Sequence, residues 1–274
     1  MNEQKQMSSF DGAAIDIDLL KKQIEESNSN EILKDLFWSP EVGDNTIRIF
    51  PYKHSTTPFI ETYWHWFNDG KSGLICPKHT FGNDNCLVCD FVSELYKSQL
   101  DEDKKKASEL RAKLRIYIPI ISRDEISRGE QPKIKFWGIS KTSYEMIRKF
   151  CLDPDYGDIA NATAGNDLKV SHVKPNATYR FGKTDILPKP VKSKVLEDMN
   201  LAKKMFEECI DLFSLPKFRE PSENEIHERL QEYRNSLNAE ERINENDAAV
   251  EDAINSEKSD LQKKIQELIE NNNK

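Results

Sequence analysis

The chain has 274 residues, a formal net charge of −8, 37% hydrophobic and 32% charged residues, and five cysteines. This suits one sizeable core with polar ends and leaves no membrane span, since the longest apolar run, Ile116 to Ile121, falls far short of the roughly 20 residues a bilayer needs. Met1 to Phe10 lacks the basic, apolar and small-residue succession of a secretory signal, and the cysteine usage suits a reducing compartment, so a cytoplasmic protein is expected.

The charge is unevenly placed. Residues 1–36 carry 4 Lys/Arg against 8 Asp/Glu, residues 37–220 carry 29 against 26, and residues 221–274 carry 7 against 14. A mildly basic middle between two acidic ends predicts an N-terminal arm (1–36), a core (37–220) and an acidic helical tail (221–274).

The arm offers a short amphipathic piece (Leu19, Leu20, Ile24), then a helix capped by Asn30 with Ile32, Leu33 and Leu36. Pro40 and Gly43 turn the chain into a strand over Thr46–Tyr52. There Ile47 and Ile49 point one way, and Arg48, Phe50 and Tyr52 the other, with Lys53 following.

A second strand, Tyr63–Phe67, opens the densest chemistry of the chain: His65, Cys76, His79, Cys86 and Cys89. Cys86-Leu87-Val88-Cys89 brings two thiolates onto one metal, and Cys76 with one imidazole completes a Cys3His set typical of structural zinc. His65 is preferred as the fourth ligand because it sits on a strand; His79, three residues past Cys76, is the alternative. A redox pair lacks the strand-then-helix setting of a thioredoxin-like site. A deaminase needs His-x-Glu, and neither histidine has that glutamate. No enzyme is expected.

Asp90–Lys97 reads as a helix leaving this zinc subdomain (about 60–97), and Asp101–Lys106 as a solvated connector. In Arg111–Ile121, Leu114, Ile116, Ile118 and Ile120 share one face; Arg111, Lys113, Arg115 and Tyr117 share the other. In Lys133–Trp137, Ile134 and Phe136 oppose Lys133, Lys135 and Trp137. Ser140–Phe150 is a helix, 153–167 a loop, and Thr178–Gly182 a strand with Arg180 between aromatics and Lys183 after it. Pro188 and Pro190 break the chain before a helix carrying Val195, Met199, Ala202, Phe206, Cys209 and Phe213. Ser222–Glu225 forms a capping box for a thin stripe of Ile226, Leu230, Tyr233 and Leu237, and a weaker stripe (Ile254, Leu261, Ile265, Leu268) ends the tail. Both suit docking rather than a core.

Three strands thus pair a buried aliphatic face with a face of cations and one aromatic. Stacking rings beside phosphate-binding cations are the two parts of a single-strand groove. The expected binding residues are Arg48, Tyr52, Lys53, Arg111, Lys113, Arg115, Tyr117, Lys133, Lys135, Trp137, Arg180 and Lys183. A zinc-containing RNA-binding regulator using the same face is the alternative.

Ile47-Arg48-Ile49-Phe50-Pro51, Pro58-Phe59, His65, Cys76 and, with nine residues between, Cys86-Leu87-Val88-Cys89 resemble the T-even-type bacteriophage single-stranded DNA-binding (helix-destabilising) proteins. The resemblance extends through 115–121 and 135–141, and more loosely to about residue 215. It implies an α+β, mainly β core: an OB-fold barrel beside a zinc-binding subdomain, with peripheral helices. It also implies a coat for single-stranded DNA in phage replication, recombination and repair, in the host cytoplasm. By the same resemblance His65 is the histidine ligand, and Arg48 and Trp137 lie in the cleft. The arm implies self-association along DNA, and the tail implies contact with replication and recombination proteins. Two features depart from the family: the arm has Lys21-Lys22 as its only adjacent cations, and the tail ends in three asparagines and a lysine rather than aspartates.

Overall fold

The structure, a computed structural model, describes residues 35–67, 70, 72–176 and 182–237. The expected arm helices up to residue 34, all of the expected strand over 178–182 except Gly182 (so Arg180 as well), and the last apolar stripe lie outside the described residues. The chain divides into two compact units, 1–62 with 114–214, and 63–113 with 215–274. Among the described residues no helix is long and apolar enough to cross a membrane.

The first unit is built on strands β1 (Phe37–Trp38), β2 (Gly43–Ile49), β5 (Lys113–Ser122), β6 (Lys135–Ile139), β7 (Gly165–Val173) and β8 (Lys183–Ser193). Their order is β1-β6-β5-β2-β7-β8; β1 joins β6 in parallel and the other pairs are antiparallel. β3 (Ile60–Phe67) begins here and runs on into the second unit, where it pairs with β4 (Ser72–Ile75).

Alternation holds on β5: Ile116, Ile118 and Ile120 are all fully buried, in one cluster with Ile47 and Ile49 of β2 and Leu168 and Val170 of β7. Burying each such side chain is worth about 1.5–3 kcal/mol, which fixes the register: a one-residue slip would expose the set. Helix α5 (Lys141–Leu152), capped by Ser140 whose Oγ accepts from the Ser143 N–H, covers this face with Ile147.

The opposite face is only partly open. Phe50, Ile121, Val195, Leu196 and Ala202 form a second cluster on it, beneath helix α6 (Met199–Glu207) and beside α4 (Arg123–Ser127). α6 is shorter than the sequence spacing suggests, because the Asp198 carboxylate caps it by accepting from the N–H groups of Asn200 and Leu201. Val195 and Cys209 flank the helix.

Three features differ from expectation. Residues 165–173 and 183–193 are strands, and β8 runs through Pro188 and Pro190 instead of breaking there. β8 is the end of the strand path, and an edge position tolerates residues without an N–H. Among the described residues β1 and β8 do not pair, so the sheet does not close into a barrel.

In the second unit, β3 and β4 lead into α1 (Pro77–Phe81), α2 (Leu87–Lys97) and α3 (Asp101–Leu110), with residues 223–237 helical as well. Residues 101–106, expected as a connector, are the exposed turns of α3. Asp101, Glu102 and Asp103 complement its N-terminal dipole, and Ala107 and Leu110 alone supply its buried face. Phe67, Cys76, Cys86, Val88, Val92, Ala107, Leu110 and Ile226 make one core. The capping box at 222–225 forms reciprocally, Ser222 N–H donating to Glu225 Oε2 (2.7 Å) and Glu225 N–H to Ser222 Oγ (3.3 Å). The helix it starts is part of this unit's core, with Ile226 and Leu230 buried and Tyr233 edge-on to Phe67.

Candidate metal centre and nucleic-acid face

Four ligand atoms converge in the second unit. Antiparallel pairing sets His65 opposite Leu74, and the Cys76 N–H donates to Tyr63 O (2.7 Å) where β4 gives way to α1. Cys86 is the N-cap of α2 and Cys89 lies in its first turn, where the helix dipole favours thiolates. The ligand atoms of His65, Cys76, Cys86 and Cys89 all lie within 4.8 Å of one another. His79 is exposed, tilted against the Tyr63 ring, and outside the cluster.

The fit to a tetrahedral ion can be tested on distances. Metal–sulfur bonds of about 2.3 Å and metal–nitrogen bonds of about 2.0–2.1 Å imply edges of roughly 3.7–3.8 Å between sulfurs and roughly 3.5–3.6 Å from sulfur to nitrogen. Cys76 Sγ lies 3.6 Å from Cys89 Sγ, and His65 Nε2 lies 3.5 Å from both Cys86 Sγ and Cys89 Sγ. His65 Nδ1 sits 2.8 Å from the Leu110 carbonyl at the end of α3, so Nδ1 carries a proton and Nε2 is the ring nitrogen that faces the sulfurs.

Electrostatics point the same way. Burial works to lower the His65 pKa, but hydrogen bonds with Cys76, Cys86 and the Leu110 carbonyl outweigh it and lift it to about 9. Cys86 is pulled below the ordinary thiol value by hydrogen bonds with Cys76 and Cys89, and the same kind of contacts push Cys89 above it. Sulfurs this close cannot all ionise unaided, and a dication removes the conflict. These four residues can hold one metal ion.

The residues expected to bind a nucleic acid are not all on one open face. In the first unit, exposed Arg115 and half-buried Tyr117 lie on the side of β5 away from the isoleucines. Lys133 is ion-paired with Asp35 (2.7 Å), and Lys135, which the register sets opposite Ile120 on the isoleucine side, pairs with Glu125 (2.9 Å) and more distantly with Asp35 (4.0 Å). Lys53 donates to the Glu207 carbonyl (2.7 Å) and pairs with its carboxylate (3.3 Å), while Lys183 pairs with Asp185 (2.7 Å). Arg111 and Lys113 are exposed in the second unit.

Arg48, Tyr52 and Trp137 are buried rather than displayed. Arg48 donates to the carbonyls of Ile159 (2.9 Å), Asn161 and Ser193 (3.2 Å), because the 158–164 loop and the end of β8 cover its side of β2. Burial lowers its pKa to about 10. Tyr52 donates to Asp211 Oδ1 (3.0 Å) and accepts from the Leu212 N–H (2.9 Å). Trp137 packs edge-on against Trp38 in the isoleucine core, so the assignment of sides on β6 was reversed: Phe136, not Trp137, lies on the side of Tyr117.

That correction brings out Phe37, Phe136 and His54, which the sequence reading did not select, beside Tyr117 and Tyr52, which it did. Tyr117, Phe37, Phe136, Tyr52 and His54 form a file of neighbouring rings with centroid separations of 5.9, 6.2, 6.1 and 5.3 Å. Phe136 and Tyr52 are buried, whereas Tyr117 and Phe37 are half-buried and His54 is exposed. Phe37 was missed because a two-residue strand shows no alternation. Its signal was the aromatic pair Phe37-Trp38 beside Pro40.

A comparison with curated proteins finds no match. Residues 41–239 match the protein-family model described as gp32 DNA binding protein like. The matched span contains the four ligand residues, β2 to β8 and the helix at 223–237. With well over half of its length covered, and with the metal-ligand cluster and strand motif inside the match, the chain belongs to the gp32-like DNA-binding protein family, whose type is the single-stranded DNA-binding protein.

Proposed function

We propose that this protein is a non-enzymatic, sequence-tolerant coat for single-stranded DNA in phage replication, recombination and repair, acting in the host cytoplasm. The observation that carries the reading is the family match across residues 41–239. We read the sheet of the first unit as an OB-type core that binds along a strand face. Arg115 supplies a phosphate-binding cation there and Tyr117 a stacking ring, the combination single strands require. One zinc ion held by His65, Cys76, Cys86 and Cys89 supplies a cross-link between β3, β4 and the start of α2. With four protein ligands the site is closed and structural. Self-association along DNA through residues 1–36, and contacts to replication and recombination proteins through the acidic tail, belong to the same reading.

The test is a competition assay of single-stranded DNA against RNA and duplex of equal length, with a hydrolysis control. Single-stranded DNA should win and no strand should be cut; preference for RNA, or hydrolysis, would overturn the reading. Arg115→Ala should weaken binding similarly on different sequences and reduce the salt slope by about 0.7. Lys133→Ala, whose charge is spent on Asp35, should leave the slope unchanged.

A further inference from the structure

In the metal-bearing unit the two sides of the β3–β4 ribbon are used differently. Tyr63, His65 and Phe67 serve the metal cluster and its core, so Trp64 and Trp66 share the other side. Antiparallel register sets Trp64 opposite Ile75 and Trp66 opposite Gly73. Trp64 is buried, with Phe218 edge-on to it at 5.4 Å and 87°. Trp66 is only half-buried; its ring lies nearly parallel to that of Trp64, with centroids 5.8 Å apart and planes inclined by 27°. A Cβ placed on Gly73 would lie 2.8 Å from Trp66 Cζ3, 3.0 Å from Cε3 and 3.2 Å from Cη2, so the six-membered ring lies across the glycine. Gly73 is ordinary strand, and no left-handed conformation calls for glycine there. Exposed Lys217 reaches over the Trp64 ring, with Nζ 5.9 Å from the centroid, and no ion pair is found for it among the described residues.

We propose that the metal-bearing unit has a strand contact of its own: Trp66 takes one nucleobase of a bound single strand, and Gly73 is the positioning residue that lets the indole lie down on the ribbon. An indole held in that way offers its outer π-face, and stacking on such a face tolerates any base. Trp64, itself fixed by Phe218, backs the ring, so little side-chain freedom is left for an arriving base to remove. Lys217 stands beside the pair with its charge not spent on a carboxylate, and a phosphate of the strand can take it. That cation, together with the DNA-binding family of the chain, favours a nucleic-acid strand over a protein partner as the occupant. The contact is additional to Arg115 and Tyr117 of the first unit; it deepens the single-strand reading and rests on it.

Of the four tryptophans, Trp38, Trp64 and Trp137 are buried, so the acrylamide-accessible part of the tryptophan emission reports Trp66. The experiment titrates the full-length protein with an oligothymidylate and with an abasic deoxyribose-phosphate strand of the same length. At saturation the oligothymidylate should quench that emission, and the abasic strand should not. Trp66→Leu should lose about 5- to 100-fold on the based strand and keep its abasic affinity. Trp66→Tyr should retain most of the preference, and Gly73→Ala should lose part of it. Lys217→Ala should weaken both strands alike and reduce the salt slope by about 0.7. Melting curves and metal content identify any variant that fails to fold; if Trp66→Leu is such a variant, the quenching of wild type decides. Emission unchanged at saturation, or folded Trp66→Leu with an undiminished preference for the based strand, overturns the Trp66 contact while leaving single-strand binding intact. Wild type that binds neither strand overturns the single-strand reading itself, and this contact with it.

Discussion

Arg48 illustrates what burial does to a side chain whose sequence context points outward. Its guanidinium donates to three carbonyls, and a Cβ on Gly165 would approach Nη2 within 2.4 Å, so both the charge and the glycine are committed to holding the 158–164 loop. Arg48→Met should therefore lower stability by about 2–4 kcal/mol, since it leaves several acceptors unpaired. Denaturant unfolding measures this, and strand binding well below the midpoint should be unchanged. A variant of wild-type stability with weakened DNA binding would instead restore a direct contact. At the metal cluster the decisive residue is His65: purified His65→Ala should carry less than one zinc, while His79→Ala keeps one. Chelation of the wild type should lower its Tm, because ligand assembly and local folding are coupled. Metal analysis giving the reverse pattern for the two histidines would assign the wrong ligand.

At the scale of elements, the helix at 223–237 depends on its start. Glu225 is held well below the ordinary carboxylate range, at about 2, by hydrogen bonding to Arg219 first and the Ser222 backbone second. A depressed carboxylate stabilises above its unfolded pKa and loses that contribution as pH falls through the folded value. Glu225→Gln should therefore cost the metal-binding unit about 0.5–1 kcal/mol at pH 7, a modest figure because the pair is solvent-screened. The difference from wild type should shrink between pH 4.5 and pH 2. Thermal melts of the two proteins across that range, if they stay equally far apart, would remove the charge from the explanation. The same helix shows why a thin stripe is enough: Ile226, with Tyr233 against it, joins a core already furnished by Val88, Val92 and Leu110.

For the whole molecule, the place where the chain is cut separates two roles of the acidic end. Cutting after Leu237 keeps Ile226, Leu230 and Tyr233, so zinc content and Tm should stay as in the full chain; cutting after Pro221 removes all three and should lower both. Residues 238–274 carry 5 Lys/Arg against 10 Asp/Glu, while residues 37–220 have a net charge of +3. Removing 238–274 should accordingly tighten strand binding at low salt. The gain should fade as the Debye length shrinks from about 30 Å at 0.01 M to about 8 Å at 0.15 M. Equal affinity of the two proteins at the lower salt would make the segment a solubilising appendage.

The sequence by itself determined what depends on local period and ligand chemistry. The alternation of Ile116, Ile118 and Ile120 identified the buried side of β5, Ser222 and Glu225 announced a helix start, and the spacing of Cys76, Cys86 and Cys89 marked a metal cluster. The family motifs on those residues agreed with the match over 41–239. Only the tertiary structure decided which polar-looking strand side is covered and which is open. Arg48 and Arg115 look alike in sequence, each a cation between branched aliphatic residues, but a loop 111 residues away closes over one while the other stays exposed. β6 was assigned the wrong way round because Phe136 and Trp137 are both large aromatics, and the core partner Trp38 arrives on a strand of two residues. Pro188 and Pro190 could sit in a strand because no neighbour on its outer side asks for their N–H groups among the described residues. In each case the deciding group lies far along the chain, and periodicity registers only near neighbours.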